Sequence, residues 1–397
     1  MERLRSIKTE NLIIAAALTG IPLLNQMNTS IRSIGNMIYI PMLLVLFYAF
    51  YFQRVLVFDE QSRVILMLFY AATVVLPILD LNIIRAGISE TVMEMGLSAV
   101  TFTAVFLLAN ENHGMPADSM IGYMLLGNSV VLFYNILLNA DEISLMNISY
   151  LLQGERSVRA YFGFSHPNTV ALYACLEVIL LYLYLIRIRR RYIIGAALIV
   201  LSWAAIVSTG SRTGFYCASF FIGMEVYQNY LMRKVRTKLK NLIYLIPVFL
   251  VFTLLTSSTY TLDMTSYTSG RDVLNAECIA QLQENGWAFF GYAPLNLLSL
   301  SPYLDLTDCG YVITIAQFGY VGLGIFIIIF CYMAWNFFQR EAYTGMNLLM
   351  VLVLYSATEN VVFNSGVSLS VCLWILMALY LVRDEEMKKL TTQTETI

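Results

Sequence analysis

The sequence predicts an all-α polytopic membrane protein of about twelve transmembrane helices, and three observations carry that expectation. Hydrophobic residues make up 59% of the 397 positions against 13% charged, and the mean hydropathy is +0.70, well above the range of soluble domains. Apolar runs recur along the chain near the length of about 20 helical residues that crosses a hydrocarbon core of about 30 Å. The basic residues between the runs are sorted, with Lys confined to one set of connections and Arg alone in the other.

On the length criterion the spans fall at 11–26, 34–52, 63–80, 91–109, 119–139, 166–186, 192–209, 213–231, 241–257, 309–335, 346–358 and 366–382. The first follows Arg3, Arg5 and Lys8 without an A-x-A cleavage site, so it reads as a retained span and not as a signal peptide. The turn RIRRR at 187–191 and the run RKVRTKLK at 233–240 mark the cytoplasmic side. An even number of spans puts both termini on that side too. Lys8, Lys234, Lys238, Lys240, Lys388 and Lys389 then all lie inside, whereas the outward basic residues are Arg32, Arg85, Arg156, Arg159, Arg212 and Arg271. The guanidinium is the cation whose rigid fork of donors matches an oxyanion such as phosphate.

Two outward loops are long, 140–165 and 258–308. The first holds DEISLMNISYLLQ, whose apolar residues line one side of a surface helix; the second holds GWAFFGYAPLNLLSLSPYLDL, a composition suited to the headgroup level. No repeat or soluble segment divides the chain, so 1–397 reads as a single domain. A formal charge of −2 without a basic patch excludes a nucleic-acid partner. Six cysteines without a C-x-x-C pair, and His113 and His166 far apart in sequence, exclude a structural zinc site. Cys278 and Cys309 both fall outside, where either a disulfide or two free thiols is chemically allowed.

The candidate chemistry gathers on the outward side. Arg212, in Ser211-Arg212-Thr213, stands where a loop enters the eighth span; the helix dipole there disfavours a cation but favours a bound phosphate. Arg159 precedes Tyr161-Phe162-Gly163-Phe164-Ser165-His166-Pro167-Asn168, with Ser165 as a natural N-cap, Pro167 suited to a first turn, and Asn168 suited to structural hydrogen bonds. Arg271 follows Gly270 in the large loop, where it either aims at a ligand or pairs with Asp272. Asp308 and Glu359 are two outward carboxylates able to act as general base, with His166 as a third base or an orienting group, and Asp308 equally suited to a helix cap. Three arginines already supply counter-charge, which favours a metal-free site over Mg²⁺ at Asp305-x-x-Asp308. Tyr161, Phe162, Trp287 and Tyr292 are candidate stacking partners for sugar rings, or else residues of an interfacial aromatic belt. Glu177, mid-way along the sixth span and about 16 Å below His166, suits a hydrogen bond within the bundle.

Taken in order, R-x-Y-F-G-F-x-H-P-N at 159–168, S-T-G-S-R-T-G at 208–214, Ser269-Gly270-Arg271, and Asp308-x-Gly-Tyr311 leading into Q-F-G-Y-x-G at 317–322 resemble the O-antigen polymerase and ligase superfamily. Within it the chain looks like a Wzy-type polysaccharide polymerase, over roughly residues 155–365. The resemblance implies a GT-C-like, metal-independent, cofactor-free, inverting glycosyltransferase of the plasma (inner) membrane, with its active site facing outward. Such an enzyme moves a growing chain from its undecaprenyl diphosphate onto the non-reducing end of a new lipid-linked repeat unit, alongside a protein that regulates chain length. Arg159, Arg212 and Arg271 fall on the diphosphate-binding positions. Ligases of the superfamily tend to carry a histidine where this chain has Asp308, a departure that favours polymerase over transfer of a finished glycan to another acceptor. A flippase or exporter of lipid-linked sugars is the rival of another class; it calls for polar groups lining a path at mid-depth, where this sequence offers little beyond Glu177.

Overall fold

A computed structural model describes residues 9–30, 39–49, 51, 58–79, 88–110, 115–148, 159–228, 242–256, 271–292, 308–362 and 367–392. Among these the chain is all-helical, with no strand. In order the helices are α1 Thr9–Ser30, α2 Tyr39–Tyr48, α3 Glu60–Leu79, α4 Ile88–Ala109, α5 Ala117–Leu138, α6 Pro167–Ile188, α7 Tyr192–Thr209, α8 Arg212–Val226, α9 Leu245–Thr256, α10 Arg271–Glu284, α11 Gly310–Gln339, α12 Tyr343–Ser356, α13 Ser368–Val382 and α14 Asp384–Thr392. Each of the twelve expected spans overlaps one of these helices. Five of them, α3, α5, α6, α7 and α11, are long and apolar enough to cross a membrane, and shorter apolar stretches accompany them.

The elements follow from local chemistry. Asp59 caps α3, its carboxylate accepting from Gln61 N and Ser62 N at 3.1 Å. Pro77, inside the same helix, cannot donate to the carbonyl of Thr73, and the turn Ala71–Val75 before it widens into π geometry, with Leu76 N–H reaching Ala71 O. A second π segment, Tyr182–Ile188, ends α6. Gly210, left-handed at φ 62°, stops α7. With Ser211 it forms the whole link to α8, so the two helices run antiparallel.

Lipid tails are as apolar as Leu, so helices in a bilayer associate through close packing and internal hydrogen bonds. α13 is buried on every side from Leu369 to Leu381 and forms the centre of the bundle, with Trp374 donating to Val362 O at 2.9 Å. α1 and α5 cross at Gly127, where a Cβ would stand 2.3 Å from Thr19 O. Glu177, wholly buried, joins α6 to α5 by accepting from Asn128 Nδ2 at 2.7 Å and Ser129 Oγ at 2.5 Å.

Several of the described helix ends gather at two poles. At one meet the start of α6, the end of α7, the start of α8 and the end of α12, through Ala160 N–H to Ser208 O at 3.0 Å and Thr213 to Thr358 at 2.6 Å. At the other, Arg189 pairs with Asp118 at 3.1 Å, Glu225 accepts from Asn347 at 2.7 Å, and Arg383 donates to the carbonyls of Ala109, Asn110 and Met115.

The long loops differ from expectation in one respect. The segment 258–308 is not all loop, because it contains α10, whose Cys278 and Leu282 are buried one turn apart. In 140–165 a short 3₁₀ turn, Ala140–Glu142, precedes Ser144, whose N–H donates to Ser208 Oγ at 2.8 Å. The expected surface helix runs into 149–158, outside the described residues.

Candidate active site

The first pole brings together most of the residues singled out from sequence. The turn before α6 is held by Glu142, one carboxylate oxygen of which accepts from Tyr161 N at 2.6 Å and Phe162 N at 2.7 Å. Phe162 adopts φ 45°, uncommon for a residue with a side chain, and its ring is fully buried beneath the turn. Gly163 follows at φ 73°. This anchored turn fixes where Arg159 and His166 emerge. His166, and not the expected Ser165, caps α6: its Nδ1 accepts from Asn168 N at 3.2 Å, and Pro167 fills the first helical position without a donor to satisfy.

Arg159 donates through Nε to Thr209 O at 2.8 Å, so its cation sits at the C-terminal end of α7, the favourable end of a helix dipole. A second guanidinium nitrogen donates to Asn168 Oδ1. The amide then turns its Nδ2 to Glu359 Oε1 at 2.6 Å. Arg159 and Glu359, distant in sequence, are therefore joined through a single buried side chain. Asn168 was assigned only a structural role from sequence, and nothing local to it marks its partner.

Arg212 begins α8 as expected, with Ser211 as N-cap accepting from Gly214 N at 3.4 Å. The hydroxyl bond between Thr213 and Thr358 binds this helix start to the end of α12, immediately before Glu359. Asp308 is exposed just ahead of α11, whose cap is Cys309 and not Asp308. Gly310 packs against the end of α12: a Cβ there would lie 3.0 Å from Glu359 O and 3.1 Å from Ser356 O. The two candidate carboxylates thus stand on chain segments in direct contact.

The aromatic candidates divide. Tyr161 is exposed in the turn beside Arg159. Trp287 and Tyr292 pack against each other, ring centroids 4.6 Å apart, in a segment docked on a break in α11. At that break Gly319 has φ 69° and ψ −175°. Tyr320 N–H donates to Ala288 O at 2.8 Å, Val321 N–H to Phe289 O at 3.2 Å, and Tyr292 N–H to Ala316 O at 2.8 Å. Trp287 shares a small apolar cluster with Cys309, Ala357 and Val362, which flank Asp308 and Glu359. Cys278 and Cys309 belong to the same cluster and are not joined as a disulfide, and burial pushes the Cys278 thiol up to about 11. Arg271 is the first residue of α10, and its side chain lies outside the described residues. Among the described residues no three His, Cys, Asp or Glu side chains gather into a metal-binding group.

Chemically, this pole offers the Arg159 guanidinium joined through Asn168 to the half-buried Glu359 carboxylate, with the Arg212-bearing start of α8 tied to the end of α12 by the Thr213–Thr358 bond. Comparison of the chain with family models, with characterised proteins and with solved structures returns no match.

Proposed function

We propose that this protein is a membrane glycosyltransferase with a GT-C-like arrangement of twelve spans that polymerises undecaprenyl-diphosphate-linked oligosaccharide repeats at the outer face of the plasma membrane. The observation that carries the reading is the convergence, at one pole, of Arg159, the Arg212-bearing start of α8, and Glu359. Cleaving a sugar–phosphate bond leaves a lipid diphosphate with growing negative charge, and a guanidinium at a partly buried site stabilises such charge by several kcal/mol. A leaving group held this way does not need a proton. The acceptor hydroxyl needs only a base, which the same pole supplies in Glu359 or Asp308. Arg271 at the head of α10 is assigned to the diphosphate as well, and Tyr161, Trp287 and Tyr292 to sugar rings.

Two features weigh against a flippase. The half-helix ends at the break in α11 are capped by the chain's own Ala288, Phe289 and Tyr292, whereas a transporter turns such ends toward its cargo. The mid-bundle carboxylate Glu177 is bound to Asn128 and Ser129. Transfer of a finished glycan to another acceptor differs from polymerisation only in what accepts, and the products decide it.

The test uses purified protein in lipid discs with a lipid-linked repeat unit, its products resolved as a ladder, with and without EDTA. Wild type should give an EDTA-resistant ladder, and Arg212→Ala should lose it by 10²-fold or more, the order expected for removing one charge-stabilising group. Single repeats left unchanged by wild type but moved across a vesicle membrane would overturn the enzyme reading.

A further inference from the structure

We propose that Asn168 is a positioning residue that couples Arg159 to Glu359 through a one-way amide, and that Glu359, in preference to Asp308 or His166, takes the proton of the acceptor hydroxyl. The inference rests on the glycosyltransferase reading and assigns the roles within that site.

The amide's orientation follows from its neighbours. A guanidinium has donors and no acceptor, so the oxygen of Asn168 must face Arg159, and its NH₂ is thereby turned to Glu359. An NH₂ group meets a carboxyl group only at an accepting oxygen, which favours the ionised form, the form a base must hold before it acts. An amide passes polarisation along its length but does not exchange protons in this range. Arg159 can therefore stabilise the charge on Glu359 without competing for its proton. Asn168 is itself nearly buried and is tied at its backbone to His166 Nδ1 at 3.2 Å. That bond also defines His166: an imidazole accepting at Nδ1 carries its proton on Nε2 and presents a donor there, the character of an orienting group.

In the step assigned to the site, the acceptor O–H proton passes to the Glu359 carboxylate. The oxygen's electron pair forms the new bond to the anomeric carbon of the donor sugar. The bond from that carbon to the diphosphate oxygen breaks, its electron pair leaving with the lipid diphosphate, which the arginines hold. Among the described residues, the titratable and charged groups on the elements around Glu359 include Arg159 (through Asn168), His166 at the cap of α6, Arg212 beside Thr213, Asp308 ahead of Gly310, Cys309 and Tyr311 at the start of α11, and Tyr355 on α12.

Asn168→Asp keeps an acceptor for Arg159 but sets a carboxylate against Glu359, so the pair retains a proton to higher pH. Because the ionised base is the active form, activity is lost as pH falls through its pKa, and a raised pKa moves the acid limb of the pH–rate profile upward. The expected shift is on the order of one pH unit or more, with activity partly recovered at alkaline pH. Asn168→Ala should lower kcat on the order of 10²-fold with little change in KM for the lipid-linked repeat, while Glu359→Gln should remove about 10²–10⁴-fold. A purely architectural Asn168 would lower thermal stability and activity together and leave the acid limb in place, which overturns the proposal. Carboxyl infrared bands, assigned to Glu359 by subtraction of Glu359→Gln and followed without substrate, give a second readout. An unchanged Glu359 titration in Asn168→Asp refutes the coupling. If wild type makes no polymer, the function assigned to the site falls, and with it the role of Glu359 as base, whereas the infrared titration still decides the coupling.

Discussion

Replacing Gly319 by Ala should detach the segment 287–292 from α11. At φ 69° and ψ −175° Gly319 occupies a region open in practice only to glycine, and a side chain there costs about 1–3 kcal/mol. The new Cβ would also lie 2.2 Å from Phe289 O, so that carbonyl has to withdraw. Withdrawal breaks or lengthens the three backbone bonds of the crossing, Tyr320 to Ala288, Val321 to Phe289 and Tyr292 to Ala316, each worth about 0.5–1.5 kcal/mol net. Together the loss is about 3–7 kcal/mol, a large part of the 5–15 kcal/mol that typically holds a domain folded. Thermal unfolding of detergent-purified protein, followed by tryptophan fluorescence, should show a midpoint lower by several degrees. Gly324 in the same helix is the control: a Cβ there meets nothing within 4 Å, and Gly324→Ala should be neutral or stabilising by up to about 1 kcal/mol. Gly319→Ala melting with wild type, or both variants falling alike, would refute the reasoning.

Two further outcomes follow from the bonds at the poles. Thr213→Val and Thr358→Val should each destabilise by about 1–2 kcal/mol, because each leaves the other hydroxyl short of its 2.6 Å partner, while the double variant should cost less than the sum by about 0.5–1.5 kcal/mol in an equilibrium unfolding cycle. Arg383→Ala should cost about 3–5 kcal/mol, since it strips the carbonyls of Ala109, Asn110 and Met115 and leaves Glu386 without its cation; Arg383→Lys should recover only part of that melting temperature, because an ammonium lacks the planar fork.

Hydropathy made the helices legible, because an apolar run of the right length has few other solutions. It read straight through Gly319, since one glycine does not lower the average of a 30-residue apolar helix. It also passed over α10: Leu274, Cys278 and Leu282 recur every fourth residue, but among polar neighbours that stripe is too thin for a membrane criterion. At the site, residue type and sidedness were enough to single out Arg159, Arg212, His166, Asp308 and Glu359. The bond from Asn168 to Glu359 was not readable, because it depends on how α6 and α12 are set in the bundle. Arg383 was counted only as an inward charge, although its side chain is buried and its bonds to the carbonyls of Ala109, Asn110 and Met115 tie the end of α13 to the link between α4 and α5.

The break in α11 also constrains how the protein is made. Within hydrocarbon, unpaired backbone groups cost several kcal/mol each, so a helix interrupted at Gly319 cannot rest in lipid by itself. Residues 288–292, which satisfy the break, are synthesised before α11, and in the proposed topology they are already across the membrane when α11 arrives. Assembly can then proceed by α11 entering as a continuous helix that opens only when it meets this waiting segment. A lesion in 288–292 would on this account surface first as a defect of insertion or turnover in the cell, ahead of any loss measured on purified protein.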